Sequence, residues 1–310
     1  MITGDPGIGK SDLAYELAAA LLCERGAGLT AACGQCPACH WFAQNNHPDF
    51  RFLTPIQDEA KGKSEPAFEI KIAQIREIAE FVATGAHRAG KRIVLLDPAD
   101  ALNTISANAL LKTLEEPTTD LHFLLVSSHD QRLPATLRSR CLRYAMTSPA
   151  RALKVQWLAS QSALPAKQPL PAKQLEAALS AAGGSPRAAL AMLDPARRAG
   201  FDAALVLIAG LPEADLLQTA DRMASIDARL WLELLRRWTV DIARVLAGSA
   251  PQTFSEQSMR LTQLGQKTDF ERLALGASRL DRQSAWLSRP LNPRLYCESV
   301  LLDYLGIFKT

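Results

Sequence analysis

Apolar positions in the first half of the chain follow two alternating periods. Over residues 11–23, Leu13, Leu17 and Leu21 recur at i, i+4 and i+8, which predicts a helix. Phe50–Leu53 predicts a short strand, and Ile72, Ile75, Ile78 and Val82 form a helical stripe within 70–83. Arg92–Leu96 is an apolar run ending at Asp97, as a buried parallel strand does. Residues 106–115 predict a helix stopped by Pro117, and 121–126 a second buried strand. Strands alternating with helices predict a parallel α/β sheet.

After about residue 147 only helical periodicity remains. A Pro/Lys-rich stretch at 162–173 predicts a loop. Gly183, Gly184, Ser185 and Pro186 break the helices again and start a new one. From about residue 195 the pattern predicts a helical bundle, with helices at 201–209, 214–224, 228–247 and 294–305. Trp231, Leu234, Leu235, Trp238, Ile242 and Val245 make a stripe at helical spacing, read as core or interface and not as a cofactor box.

Composition narrows the class. A chain of 310 residues suggests about two or three domains. With 48% hydrophobic and 22% charged residues it is not a disordered chain. No apolar run approaches the ~18–20 residues of a membrane span, and no secretory signal is visible. The expected compartment is therefore the cytoplasm, with no membrane partner. A net charge of +3 neither demands nor excludes a nucleic-acid partner.

Residues 4–11, GDPGIGKS, match the G-x-x-x-x-G-K-[ST] phosphate loop in full. Gly4, Gly7 and Gly9 let the backbone wrap close to phosphates, and the following helix presents its positive end to them. Lys10 would reach the β- and γ-phosphates, and Ser11 would ligate Mg²⁺. Only Met1, Ile2 and Thr3 precede the loop, fewer than the ~5–6 residues of an ordinary strand. The expectation is a strand cut short by truncation or by a misplaced start.

The run 93–97 ends in Asp97, placed to hold Mg²⁺ through water. Working ATPases of this class carry Glu at the next position, where this chain has Pro98, which cannot polarise water. Asp100 lies two positions further on. The pattern therefore offers nucleotide binding without a clear water-positioning residue.

Cys23, Cys33, Cys36 and Cys39 supply four thiolates at a spacing that suits tetrahedral zinc. An iron–sulfur cluster is the competing reading. A closed four-sulfur set implies a structural role. His40 and His47 are nearby, and His47 reads as the start of a strand. Residues 137–141, LRSRC, are either a solvated basic helix end or an arginine finger, a group worth roughly 10³–10⁵ in phosphoryl-transfer rate.

Several segments together resemble the delta-prime family of bacterial DNA polymerase III clamp-loader subunits, within the AAA+ superfamily. They are the CGQCPAC knuckle, HPDF at 47–50, ANALLKTLEEP at 107–117, FLLVSS at 123–128, LPATLRSRC at 133–141, GGSPRAAL at 183–190 and LNPRLYCESVLLDY at 291–304. The resemblance covers nearly the whole chain. It implies an α/β then all-α fold: an AAA+ P-loop domain with a zinc knuckle at 1–147, a helical lid at 148–197 and a helical collar at 198–310.

It also implies roles. Arg140 matches the arginine finger, acting in trans on ATP held by a neighbouring motor subunit. Ser127 or Ser128 falls at the first sensor, and Arg187 matches the second, which reads the γ-phosphate. Cys23, Cys33, Cys36 and Cys39 match zinc ligands. The implied partners are gamma/tau and delta subunits in a hetero-pentameric ring, with the sliding clamp and primed DNA reached through the complex. Delta-prime subunits often have a degraded phosphate loop, yet this one is intact and is accompanied by Arg187, which favours ATP with Mg²⁺. Pro98 opposes hydrolysis.

Three functions follow. The first is a non-motor clamp-loader subunit supplying a finger, and the second is an ATP-hydrolysing motor subunit. The third is a zinc-dependent nucleic-acid binder, opposed by the lack of Lys or Arg among 36–41. Lys112, in the NALLKTLEEP segment, is either a site residue or a solvated lysine.

Overall fold

The apolar runs of the first half become strands: β1 (Ile2–Thr3), β2 (Phe50–Leu53), β3 (Arg92–Leu96), β4 (Leu121–Ser127) and β5 (Tyr144–Ala145). All neighbours are parallel, in the order β2-β3-β4-β1-β5. The computed structural model describes residues 1–25, 31–55, 69–83, 85–87, 90–166, 170–288 and 291–308. These form two compact units, one up to Pro149 and one from Ala150.

The register places the ends of three strands side by side. Leu96 pairs with Leu125, and Thr3 with Ser127. Gly4, Asp97 and Ser128 therefore leave the sheet together at its carboxyl edge, where parallel sheets bind ligands. Two residues suffice for β1 because both neighbours hold it. Tyr144 N–H donates to Met1 O at 2.9 Å, and Met146 N–H to Thr3 O at 2.8 Å.

The sheet is covered on both faces. In β3 all five residues are buried. Ile93 and Leu95 belong to one apolar cluster, Val94 and Leu96 to another. Helices α1 (Lys10–Leu22) and α2 (Pro37–Ala43) contribute to the first. Helices α3 (Ile72–Ala83), α4 (Thr104–Glu115) and α5 (Ala135–Arg138) contribute to the second.

The face of α1 differs from the predicted one. Ala14, Ala18 and Leu22 pack against the sheet, whereas Leu13 is 39% exposed and Leu17 and Leu21 are half-buried. Small side chains let the helix backbone approach the strands closely. The leucine stripe lines a cavity of about 560 Å³ with Phe123, Leu142 and Tyr144.

The second unit is helical: α6 (Arg151–Ala166), α7 (Ala172–Ala181), α8 (Pro186–Ala191), α9 (Pro195–Gly210), α10 (Leu216–Met223), α11 (Ala228–Leu246), α12 (Ser258–Gln266), α13 (Phe270–Gln283) and α14 (Pro293–Leu305). Side chains of Ser185, Asp194, Asp215, Asp227, Asp269 and Asn292 cap helix starts by accepting free backbone N–H groups. The predicted loop at 162–173 is shorter than expected. α6 runs to Ala166 and α7 begins at Ala172, while 167–169 lie outside the described residues.

The aromatic stripe of α11 is core: Trp231, Leu234, Leu235, Trp238 and Ile242 are buried, and Trp238 Nε1 donates to Tyr304 Oη at 3.0 Å. One apolar cluster runs from Leu158 to Phe308. Among the described residues no helix is long and apolar enough to cross a membrane.

Candidate functional site

The phosphate loop wraps tightly because its glycines allow it. Gly4, Gly7 and Gly9 all have positive φ, at 146°, 70° and 100°. A Cβ on Gly4 would meet Met146 O at 2.4 Å, so only glycine fits where the loop leaves β1 beside β5. Gly9 then turns the chain into α1, leaving the free N–H groups of the helix at the loop.

Lys10 is 4% exposed. Its ammonium donates to Gly4 O at 2.8 Å, to Asp5 O at 2.6 Å and to Ser128 Oγ at 2.9 Å. Burial pulls its pKa below the ordinary lysine range, while the charges of Asp100, Asp97 and Asp5 oppose that shift. Ser11 and Asp97 are half-buried at the same edge.

The two serines after β4 have separate partners. Ser127 is fully buried and its hydroxyl donates to Asp100. Ser128 faces Lys10. Asp100 also accepts from Ser128 N–H at 2.9 Å and His129 N–H at 3.0 Å. With three donors on its two oxygens, this carboxylate fixes the turn after β4.

A second group of side chains is sulfur. α1 ends at Cys23, and Cys36 caps α2 with Pro37 at its first position, where a missing N–H costs nothing. Cys33 and Cys39 complete the set. All four sulfurs lie within 4.8 Å of one another, and Cys33 and Cys39 Sγ are 3.9 Å apart. A tetrahedron with ~2.3 Å metal–sulfur bonds has edges of about 3.8 Å, so the donor set fits a tetrahedral ion.

Backbone N–H groups support thiolate charge. Cys33 N–H donates to Cys23 Sγ at 3.4 Å, Cys39 N–H to Cys36 Sγ at 3.4 Å and Gln35 N–H to Cys33 Sγ at 3.5 Å. The bond from Cys33 pulls the Cys23 thiol down to about 6, and burial pushes Cys39 up to about 12. His47 is buried ahead of β2 and is not part of the sulfur group; its Nδ1 accepts from Asp49 N–H at 3.1 Å. His40 stays outside the group as well.

Arg140 follows α5 on the surface. Its guanidinium pairs with Glu115 Oε1 at 2.5 Å and donates to Thr136 O at 2.8 Å. Neither partner belongs to the phosphate loop. Lys112 is exposed on α4.

Arg187 lies in the second unit, exposed on the first turn of α8. The turn before it is framed by cations: Lys154 Nζ donates to Gly184 O at 2.8 Å and Arg237 to Ala181 O at 3.0 Å. The structure thus gathers Gly4, Gly7, Gly9, Lys10, Ser11 and Asp97 at one edge and the four cysteines at another place. The partners of Arg140 belong to neither group. Ser128, Asp100 and Glu115 join these groups through contacts that no local motif announces.

Comparison with known proteins shows what the chain is similar to. The family described as DNA polymerase III, delta subunit matches residues 1–150. DNA polymerase III subunit delta' of Pseudomonas aeruginosa is 42% identical over 186 residues, covering 60% of this chain and 52% of the relative. Its counterpart in Yersinia pestis is 33% identical over 264 residues, covering 83% and 73%. The chain spans about half the length of several curated relatives it matches. Among solved structures, a DNA polymerase III gamma subunit-related protein of Thermotoga maritima aligns at 17% identity and TM-score 0.41, covering 99% of this chain and 93% of that one.

Proposed function

This chain belongs to the DNA polymerase III delta-prime family, and on that premise we propose that it is a non-motor subunit of the clamp loader. In this reading it supports ATP-driven loading of the sliding clamp onto primed DNA. It does so by offering Arg140 to ATP held on a neighbouring gamma/tau subunit, within a hetero-pentameric ring that also holds delta. The observation that carries it is the exposed Arg140 guanidinium, anchored by Glu115 and Thr136 and not by its own phosphate loop. A guanidinium presented in this way suits charge developing on a transferring phosphoryl group.

The phosphate loop has its own part. Gly4, Gly7, Gly9, Lys10 and Ser11 would hold the phosphates of ATP, with Asp97 beside Mg²⁺ and Arg187 reading the γ-phosphate. Turnover by this chain alone is weak or absent, because Pro98 brings no carboxylate and Asp100 is committed to three donors. Residues 148–197 act as the lid and 198–310 as the collar. Zinc on Cys23, Cys33, Cys36 and Cys39 is structural, tying the end of α1 to the start of α2.

A second reading, an ATP-hydrolysing motor subunit, is favoured by the complete phosphate loop around Lys10. One experiment separates the two. DNA- and clamp-stimulated ATP turnover is measured in a loader reconstituted with motor and delta subunits, using this chain or Arg140→Ala. The finger reading expects kcat to fall sharply at the adjacent site with assembly intact. Unchanged turnover overturns it, and turnover by the isolated chain that Lys10→Ala abolishes establishes the motor.

A further inference from the structure

Glu115 closes α4 at a position where a carboxylate is electrostatically disfavoured. The last turn of a helix carries partial negative charge from free carbonyls, so an acid there is repelled. Its side chain is half exposed and would find water as readily as a partner. It nevertheless pairs with Arg140, 2.5 Å away and 25 residues on in sequence. Thr136 O takes a second donor from the same guanidinium at 2.8 Å.

A guanidinium has five N–H donors in one plane. The hydrogen bond to Thr136 O and the ion pair with Glu115 engage its two terminal nitrogens and restrict how the plane can turn. We propose that Glu115 is a positioning residue for Arg140: it holds the guanidinium in the orientation in which it meets the phosphates of a neighbouring subunit. This rests on the finger reading of Arg140. Glu115 touches no substrate in this scheme. It acts by removing rotamer freedom before the transition state is reached, and lost orientation appears in kcat.

The pair is exposed on both sides, at 35% and 47% of the side chains. An ion pair of this kind contributes little to stability, so Glu115→Gln should fold and assemble as the parent does. The test is DNA- and clamp-stimulated ATP turnover of the reconstituted loader carrying the parent chain, Glu115→Gln, Arg140→Ala or both substitutions. The expected result is a kcat about threefold to fivefold lower for Glu115→Gln, with KM for ATP and melting temperature unchanged. In the Arg140→Ala background, Glu115→Gln should remove nothing further. An unchanged kcat in Glu115→Gln overturns the proposal, as does an equal loss in both backgrounds. If Arg140→Ala itself leaves turnover intact, the finger reading fails and this proposal fails with it.

Discussion

Ser128 Oγ lies 2.9 Å from Lys10 Nζ, tying the turn after β4 to the phosphate loop. The same ammonium is held by Gly4 O and Asp5 O. Bound phosphate would compete for these donors, and charge-assisted bonds are worth about 1.5–3 kcal/mol each. Lys10→Ala should therefore lower affinity for a fluorescent Mg-ATP analogue by about tenfold or more. Ser128→Ala should cost less, because the two carbonyls still guide the lysine. Equal losses in titrations of the two variants would show that Ser128 is as important as Lys10 for nucleotide.

Asp100 is the support behind that turn. It accepts from the Ser127 hydroxyl and from two backbone N–H groups. Asp100→Asn would turn one acceptor into an NH₂ aimed at donors. A loss of about 1–3 kcal/mol is expected, as for a partly unsatisfied buried donor. Urea unfolding followed by far-UV circular dichroism reads this as a lower midpoint. A parent-like midpoint would mean that water replaces the carboxylate without cost.

What could be read along the chain was local. The phosphate loop and the cysteine knuckle each draw their chemistry from neighbouring positions, so spacing reveals them. β3 is legible because burial on both faces requires a continuous apolar run, and β4 because it keeps most of one although His122, Phe123 and Leu124 are half-buried. β5 carries exposed Tyr144 and Ala145, and pairing with β1 alone makes it a strand. The α1 leucine stripe misleads because leucine usually marks the buried face, and here alanines take it for close approach. α12 and α13 hide behind Gln, Arg and Thr, since only a narrow face of each is buried. Lys10 with Ser128, Asp100 with Ser127 and Glu115 with Arg140 meet only after folding, at separations that no motif spans.

The sulfur group makes a test by metal removal. Purified protein should carry one zinc per chain and show no visible absorption, which an iron–sulfur cluster would produce. Chelation or Cys36→Ser should lower the melting temperature, because binding energy at such a site is folding energy. The affinity of the assembled loader for primed DNA should stay the same once protein is refolded with zinc. Retention should weaken as pH falls, since protons compete with the ion for thiolates. Full melting stability after complete metal removal would rule out a structural role.

Arg92 allows a prediction about acid. It opens β3 just ahead of the apolar run 93–96, yet it is 2% exposed. Its guanidinium bonds Asp120 Oδ2 at 2.8 Å, Thr118 Oγ1 at 2.7 Å, Val82 O at 2.8 Å and Phe81 O at 3.2 Å. It thereby ties the end of α3 to the loop before β4. The bond from Arg92, reinforced by the Thr118 hydroxyl, holds the Asp120 carboxyl down at about 2. A folded-state pKa below the unfolded one, ~4 for Asp, adds stability that is complete above that range. This stability is lost as pH falls through about 2. Asp120→Asn should thus melt lower than the parent at neutral pH, and the gap should close as the solution is acidified toward that value. Melting temperatures of both proteins across a series of pH values read this directly. A gap that stays constant to low pH would mean that the Asp120 charge adds nothing and that the Arg92 bonds to Phe81, Val82 and Thr118 alone hold the corner.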